Sequence, residues 1–205
     1  MDATQTEAVF ELTPADEEQL LQVARAALET AVRTGVAEET WLPPLEVSDR
    51  LLEEGASFVT LRINGALRGC IGSAQAYRPL VLDVANQAMR AALFDPRFEP
   101  VTPDELPYVE IEISVLTPPR PLAYQDGQDL IVRLRPHIDG VIIVHDFHRA
   151  LLLPQTWDLI PDPTEFMAAL CHKAGLSDDA YLEGNLEVYT FQVRTITEPA
   201  ATEKD

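Results

Sequence analysis

Apolar residues recur at helical spacing in three stretches of the chain, and at strand spacing in the segments between them. Thr13-Pro14-Ala15-Asp16 opens the first helix, with a threonine cap and proline at the first helical position. Leu20, Leu21, Ala24, Ala27, Leu28 and Ala31 then share one face, and Gly35 is the stop. A second helix begins at Arg78-Pro79 and turns Leu80, Val81, Val84, Ala88 and Ala91 inward. It ends at Asp95-Pro96, because the residue before proline avoids the helical region. The third covers 164–174, between the Asp162-Pro163-Thr164-Glu165 cap and Gly175. Residues 36–54, with Pro43-Pro44, and 117–121, with three prolines, read as connections, and 130–134 fits helix and strand equally.

Strand-like runs at 57–63 and 66–71 flank Asn64-Gly65, a strong hairpin signal. A two-residue turn pairs Ile63 with Ala66 and puts Arg68 and Cys70 on the face of Val59 and Leu61. A three-residue turn with Gly65 left-handed pairs Arg62 with Ala66 instead. It gathers Val59, Leu61, Leu67, Gly69 and Ile71 on one side, and Thr60, Arg62, Arg68 and Cys70 on the other. A one-residue slip moves every side chain to the opposite face, so the apolar pattern selects the three-residue turn. Val109, Ile111, Ile113 and Val115 alternate with Glu110, Glu112 and Ser114, a strand with one wet face. A second hairpin is expected from 140–144 and 149–153, turning near Asp146-Phe147-His148. A last strand over 186–196 carries Tyr189, Phe191 and Val193 on one face. The pattern predicts an α+β fold: a largely antiparallel sheet with flanking helices, in two intimate lobes. Hairpin, loop and helix occur in that order at 57–94 and again at 140–174, which suggests an internal duplication although the residues scarcely match. The domain is expected over 13–196, with flexible termini at 1–12 and 197–205.

Charge sharpens this picture. The formal net charge of −19 repels nucleic-acid phosphates and argues against a nucleic-acid partner. Within this acidic chain, residues 56–98 hold five arginines against two aspartates, and Cys70 lies among them. Arginine forks fit carboxylate or phosphate, so these residues either bridge to acids of the same protein or form an anion-binding surface. No apolar run reaches the ~20 residues that span a bilayer, so no membrane association is expected. An acidic start without an apolar centre and a count of only two cysteines make a cytoplasmic location the expectation.

The sharpest motif is Leu67-Arg68-Gly69-Cys70-Ile71-Gly72, a cysteine between two strand glycines. Strand glycines mark a bulge or a close approach of another group. With Asp95-Pro96-Arg97-Phe98, Glu110-Ile111-Glu112-Ile113-Ser114-Val115-Leu116, Asp139-Gly140, Leu153-Pro154-Gln155 and 170–176, it gives the chain a family likeness. From about residue 13 to 195 the chain resembles the AMMECR-domain family, whose bacterial and archaeal members are called AmmeMemoRadiSam system protein A. The resemblance implies a two-lobed α+β fold with antiparallel sheet and no settled reaction. It also implies a Memo-like protein and a radical S-adenosylmethionine protein as partners. Ala150 departs from the glycine expected before Leu-Pro-Gln in many members, which questions a close backbone approach there.

The candidate reactive group is Cys70, as nucleophile, thiyl-forming residue or covalent acceptor, since arginine charge favours the thiolate. The bland alternative is that the glycines serve packing and the cysteine is a small filler. Arg68, Gly69, Gly72, Arg62, Arg97 and Gln155 are the candidate binding residues for a small anionic substrate. A nucleophile also needs a base, and His137, His145, His148 and His172 are available. His145 and His148, three apart with Asp146 between them, match no zinc motif, so no metal is expected. No phosphate-cradling glycine loop is present, and no cofactor is expected. Cys171, on the third helix, reads as a buried structural thiol. These features suit a thiol-dependent catalytic or carrier subunit, or else a non-catalytic module that docks a partner through an arginine-rich face.

Overall fold

The structure is a computed structural model and describes residues 12–199. The chain divides into two compact units, Met1–Leu116 with Arg194–Asp205, and Thr117–Val193. The flexible termini expected at 1–12 and 197–205 lie outside the described residues, except for Leu12 and 197–199. At 197 the chain is still in a strand, and Glu198 is held by Arg25.

In the first unit, helix α1 (Pro14–Thr34) starts at a capping box. The Thr13 hydroxyl accepts from Asp16 N, while the Asp16 carboxylate accepts from Thr13 N. Gly35, at φ 71°, closes α1 in the left-handed conformation. The unit's sheet runs β2-β1-β4-β9, from β1 (Glu54–Ile63), β2 (Ala66–Gly72), β4 (Val109–Leu116) and β9 (Val193–Thr197). Short β3 (Arg78–Pro79) pairs with Glu54 and Gly55 of β1. Arg78 and Pro79 are therefore strand residues, and helix α2 (Leu80–Leu93) begins just after the expected start. Leu20, Leu28, Val84 and Ala88 of the helices bury against Val59, Leu61, Ile111 and Ile113 of the sheet.

The hairpin corrects the expected register in an instructive way. Asn64 and Gly65 form a two-residue turn with Ile63 opposite Ala66, and both take positive φ, 52° and 76°. That is the type I′ geometry Asn-Gly favours. The ladder then slips: Arg62 faces Leu67, but Leu61 faces Gly69 and Thr60 faces Cys70. Arg68 is the extra residue of a β-bulge. Cys70 therefore shares a face with Thr60, and Gly69 with Leu61, as the apolar pattern required, though the device is a bulge rather than a three-residue turn. Leu67 lies beside Arg62 and is exposed, so it does not join the apolar side.

The second unit has the sheet β5-β8-β6-β7, from β5 (Arg120–Pro121), β6 (Gly140–His145), β7 (His148–Leu152) and β8 (Glu187–Phe191). The ambiguous stretch near 130 is helix α3 (Gly127–Arg133), whose first turn is capped by the Asp126 carboxylate. Leu130 of α3 and Phe166, Met167 and Leu170 of α4 (Pro163–Lys173) pack on Val141, Ile143, Ala150 and Val188. Ala150 is buried in that core, where it meets the helix layer without glycine. Cys171 is fully buried there, and burial pushes its thiol up. The single strand expected over 186–196 is two, because Gln192 leaves the ladder to exchange hydrogen bonds with Thr117. Val193 consequently does not share a face with Tyr189 and Phe191. Each unit follows the order helix, hairpin, helix, strand, and each lays that last strand antiparallel against the first strand of its hairpin. Among the described residues, no helix is long and apolar enough to cross a membrane.

Candidate functional site

Cys70 lies on β2, an edge strand of its sheet. Edge strands leave backbone groups unpaired, and proteins cover them with other segments. Here the cover is the turn after α2. Asp95 and its neighbours bend the chain back, with Phe98 N donating to Asp95 O and Val101 N to Ala92 O. The buried Asp95 carboxylate then accepts from Cys70 N at 2.8 Å, while the Arg97 guanidinium donates to Cys70 O at 3.4 Å. The 67–72 and 95–98 motifs thus meet at one residue. Arg97 also grips Asp95 through Nε and Nη2, at 2.9 and 2.6 Å. That ion pair, with the amides of Cys70 and Arg97, holds the Asp95 carboxyl down at about 2.

The bulged Arg68 forms a second clamp. Its guanidinium makes a bidentate pair with Glu105, at 2.7 and 3.0 Å, and donates to the carbonyls of Glu99 and Pro100. Arg68 brings the Glu105 carboxyl to about 2. Phe98 lies between the clamps, 6.0 Å from the Arg68 guanidinium and 5.5 Å from that of Arg97. Arg68 and Arg97 are therefore committed to carboxylates of their own unit. Arg62 reaches the turn carbonyl of Gly65 at 3.4 Å.

The glycines have packing reasons. A Cβ on Gly69 would stand 2.3 Å from the Ala91 carbonyl oxygen of α2, so glycine lets the helix backbone lie directly on the strand. On the other face, a Cβ on Gly72 would stand 2.2 Å from the Phe58 ring. Cys70 is half-buried, and its sulfur accepts from the Thr60 hydroxyl at 3.4 Å. Gln155 belongs to the other unit, on the 3-10 turn Pro154–Asp158. All four histidines fall within 117–193, so the unit carrying Cys70 has no imidazole of its own. His145 and His148 face one another across the second turn, and His148 Nδ1 lies 2.8 Å from the Ala174 carbonyl. Among the described residues, no three His, Cys, Asp or Glu side chains converge as metal ligands.

Thr60, Asp95 and Glu105 were not singled out as site residues from sequence. Thr60 becomes visible once the register is known, and Asp95 stands two residues from Arg97 in a recognised motif. Glu105, 37 residues from Arg68, carries no signal of its own.

A family model described as AMMECR1 matches residues 21–196. The chain belongs to the AMMECR1 family. A Methanothermobacter thermautotrophicus protein is 37% identical over 182 residues, 87% of this chain and 92% of that one. A Thermofilum pendens protein is 38% identical over 194 residues, 87% and 88% of the two chains. The crystal structure of an uncharacterized protein from Pyrococcus horikoshii superposes with a TM-score of 0.82 at 34% identity, covering 90% of this chain and 92% of that one. The AMMECR1 fold is thus the shared frame on which the clamped Cys70 hairpin is built.

Proposed function

We propose that this AMMECR1 protein is a thiol-dependent carrier subunit, in which Cys70 takes up a group covalently and presents it to partners. The observation that carries this reading is a half-buried cysteine whose backbone is held on both sides. Asp95 and Arg97 lock both backbone groups of Cys70, and Thr60 donates to the sulfur. A bulge next to a reactive position is a familiar way to re-aim a side chain. The hairpin of the second unit has the same place in the chain order, yet its ladder from His145–His148 to Val141–Leu152 shows no slip. Within its own unit Cys70 has no imidazole to act as a base, which favours a carrier over a catalyst complete within that unit. The partners proposed, from the family resemblance, are the Memo-like and radical S-adenosylmethionine proteins. An anionic substrate held by Arg62, Arg68 and Arg97 has less support, since two of these three guanidinium groups are taken by Glu105 and Asp95.

The test incubates wild type and Cys70→Ser with both partner proteins and follows intact mass. A mass adduct on wild type, absent from Cys70→Ser, is expected. Unmodified protein that still binds its partners would end the carrier reading in favour of a docking module. The packing roles of Gly69 and Gly72 speak for that second reading, because they account for the signature glycines without any chemistry at the sulfur.

A further inference from the structure

The face of the sheet that carries Cys70 has a row of three polar residues across three strands. Thr60 on β1 stands opposite Cys70 on β2 and opposite Glu112 on β4. Residues directly opposite in a ladder point to the same side, and neighbouring strands lie ~4.8 Å apart. Cys70 and Glu112 are therefore separated at the backbone by about 10 Å, with the buried Thr60 between them. Glu112 is half-buried, and its carboxylate makes no hydrogen bond or ion pair with any other described residue. A carboxylate without a protein partner leaves its charge free to attract a cation.

The remaining charges around the thiol are accounted for. Arg68 is neutralised by Glu105 and Arg97 by Asp95. Arg62 reaches along the hairpin to the carbonyl of Gly65, in the row of Glu110 and Leu67. The uncompensated charge in the row of Cys70 is thus negative, although the segment is rich in arginine. We infer that Glu112 sets the specificity of the Cys70 face, so that the ligand meeting the thiol is a small organic amine whose ammonium group sits on Glu112. This rests on the thiol-dependent reading above and names the substrate class that reading leaves open.

The probes are two methanethiosulfonate reagents of similar size, one aminoethyl and one sulfonatoethyl. Each transfers its thioalkyl group to Cys70: the reagent's S–S bond breaks, a new S–S bond forms to Sγ, methanesulfinate leaves, and the thiol proton goes to water. Rates at Cys70 are read by mass spectrometry for wild type, Glu112→Gln and Glu110→Gln. The two variants remove the same charge, so the general attraction of an acidic chain for cations cancels between them. The ratio of aminoethyl to sulfonatoethyl rates is expected to fall about fivefold in Glu112→Gln, as for a charge several ångström away in a partly screened site. In Glu110→Gln it should stay close to wild type. A ratio unchanged by Glu112→Gln, or a wild-type preference for the sulfonate, overturns the inference while leaving the thiol reading intact. Failure of Cys70 to react with either reagent overturns both. Ethanolamine should slow aminoethyl labelling of wild type. Protection only by a lysine-containing peptide would move the cation to a protein partner and overturn the small-amine assignment.

Discussion

Asp95 accepts four hydrogen bonds, from the amides of Cys70 and Arg97 and from two nitrogens of the Arg97 guanidinium. It is almost fully buried, and its carboxyl titrates at about 2. A carboxyl depressed from the ordinary ~3.9 to about 2 contributes on the order of 2 kcal/mol at neutral pH. That contribution is fully present above the unfolded value and drains away as pH falls through the folded one. Asp95→Asn keeps the shape but removes the charge. Its deficit in urea unfolding should be about 2 kcal/mol at pH 7 and should shrink between about pH 4 and pH 2. A deficit that stayed constant down to pH 2 would show that shape rather than ionisation holds the clamp. Sequence gives part of this. Asp95 and Arg97 are neighbours in a recognised motif, but that their partner is the backbone of Cys70 depends on how the chain folds back after α2.

At the scale of elements, the decisive object is the bulge at Arg68. The alternation of Val59, Leu61, Gly69 and Ile71 indicated which side of the hairpin faces the helices, and hence where Cys70 points. It did not indicate how the chain reaches that register. An Asn-Gly turn and an extra residue further along satisfy the same parity as a longer turn, and the preference of Asn-Gly for type I′ wins locally. The residue left over is the one that reaches Glu105. Deleting Arg68 should leave Ile63–Ala66 and Arg62–Leu67 paired and bring Gly69 next in line. Leu61–Gly69 and Thr60–Cys70 then persist in a regular ladder. The expected outcome is a Cys70 that iodoacetamide still labels, in a protein melting about 3–6 °C lower for loss of the bidentate pair. Protection of Cys70 from the reagent would mean the strand had turned over and the bulge itself sets the facing. The last strand departs from its apolar alternation for a related reason. Apolar alternation runs through Gln192 unbroken, while the exchange with Thr117 that ends the ladder is invisible to periodicity.

For the whole molecule, opposing groups combine into one pH profile. The chain carries a formal net charge of −19, so like charges repel across it at neutral pH, and protonation relieves that repulsion. Asp83 acts in the same direction. It is fully buried in the first turn of α2, and burial raises its carboxyl against the pull of Ser57, Gln87 and Arg78. A raised carboxyl opposes folding when ionised, so its cost is full above its folded value and diminishes as pH falls through that value toward the ordinary carboxylate range. Asp95 and Glu105, both at about 2, act in the opposite direction, and their support is lost only below the ordinary carboxylate range. The melting temperature should therefore rise from pH 7 to about pH 5 and fall between about pH 4 and pH 2. Salt separates the causes of the rise. Surface repulsion is screened at 0.5 M salt, where the Debye length is only about 4–5 Å, whereas a buried carboxyl is screened much less. Whatever part of the rise survives salt, down to the ordinary carboxylate range, should vanish in Asp83→Asn. A melting temperature that declines steadily from pH 7 to pH 4 in wild type would show that neither the net charge nor Asp83 limits stability.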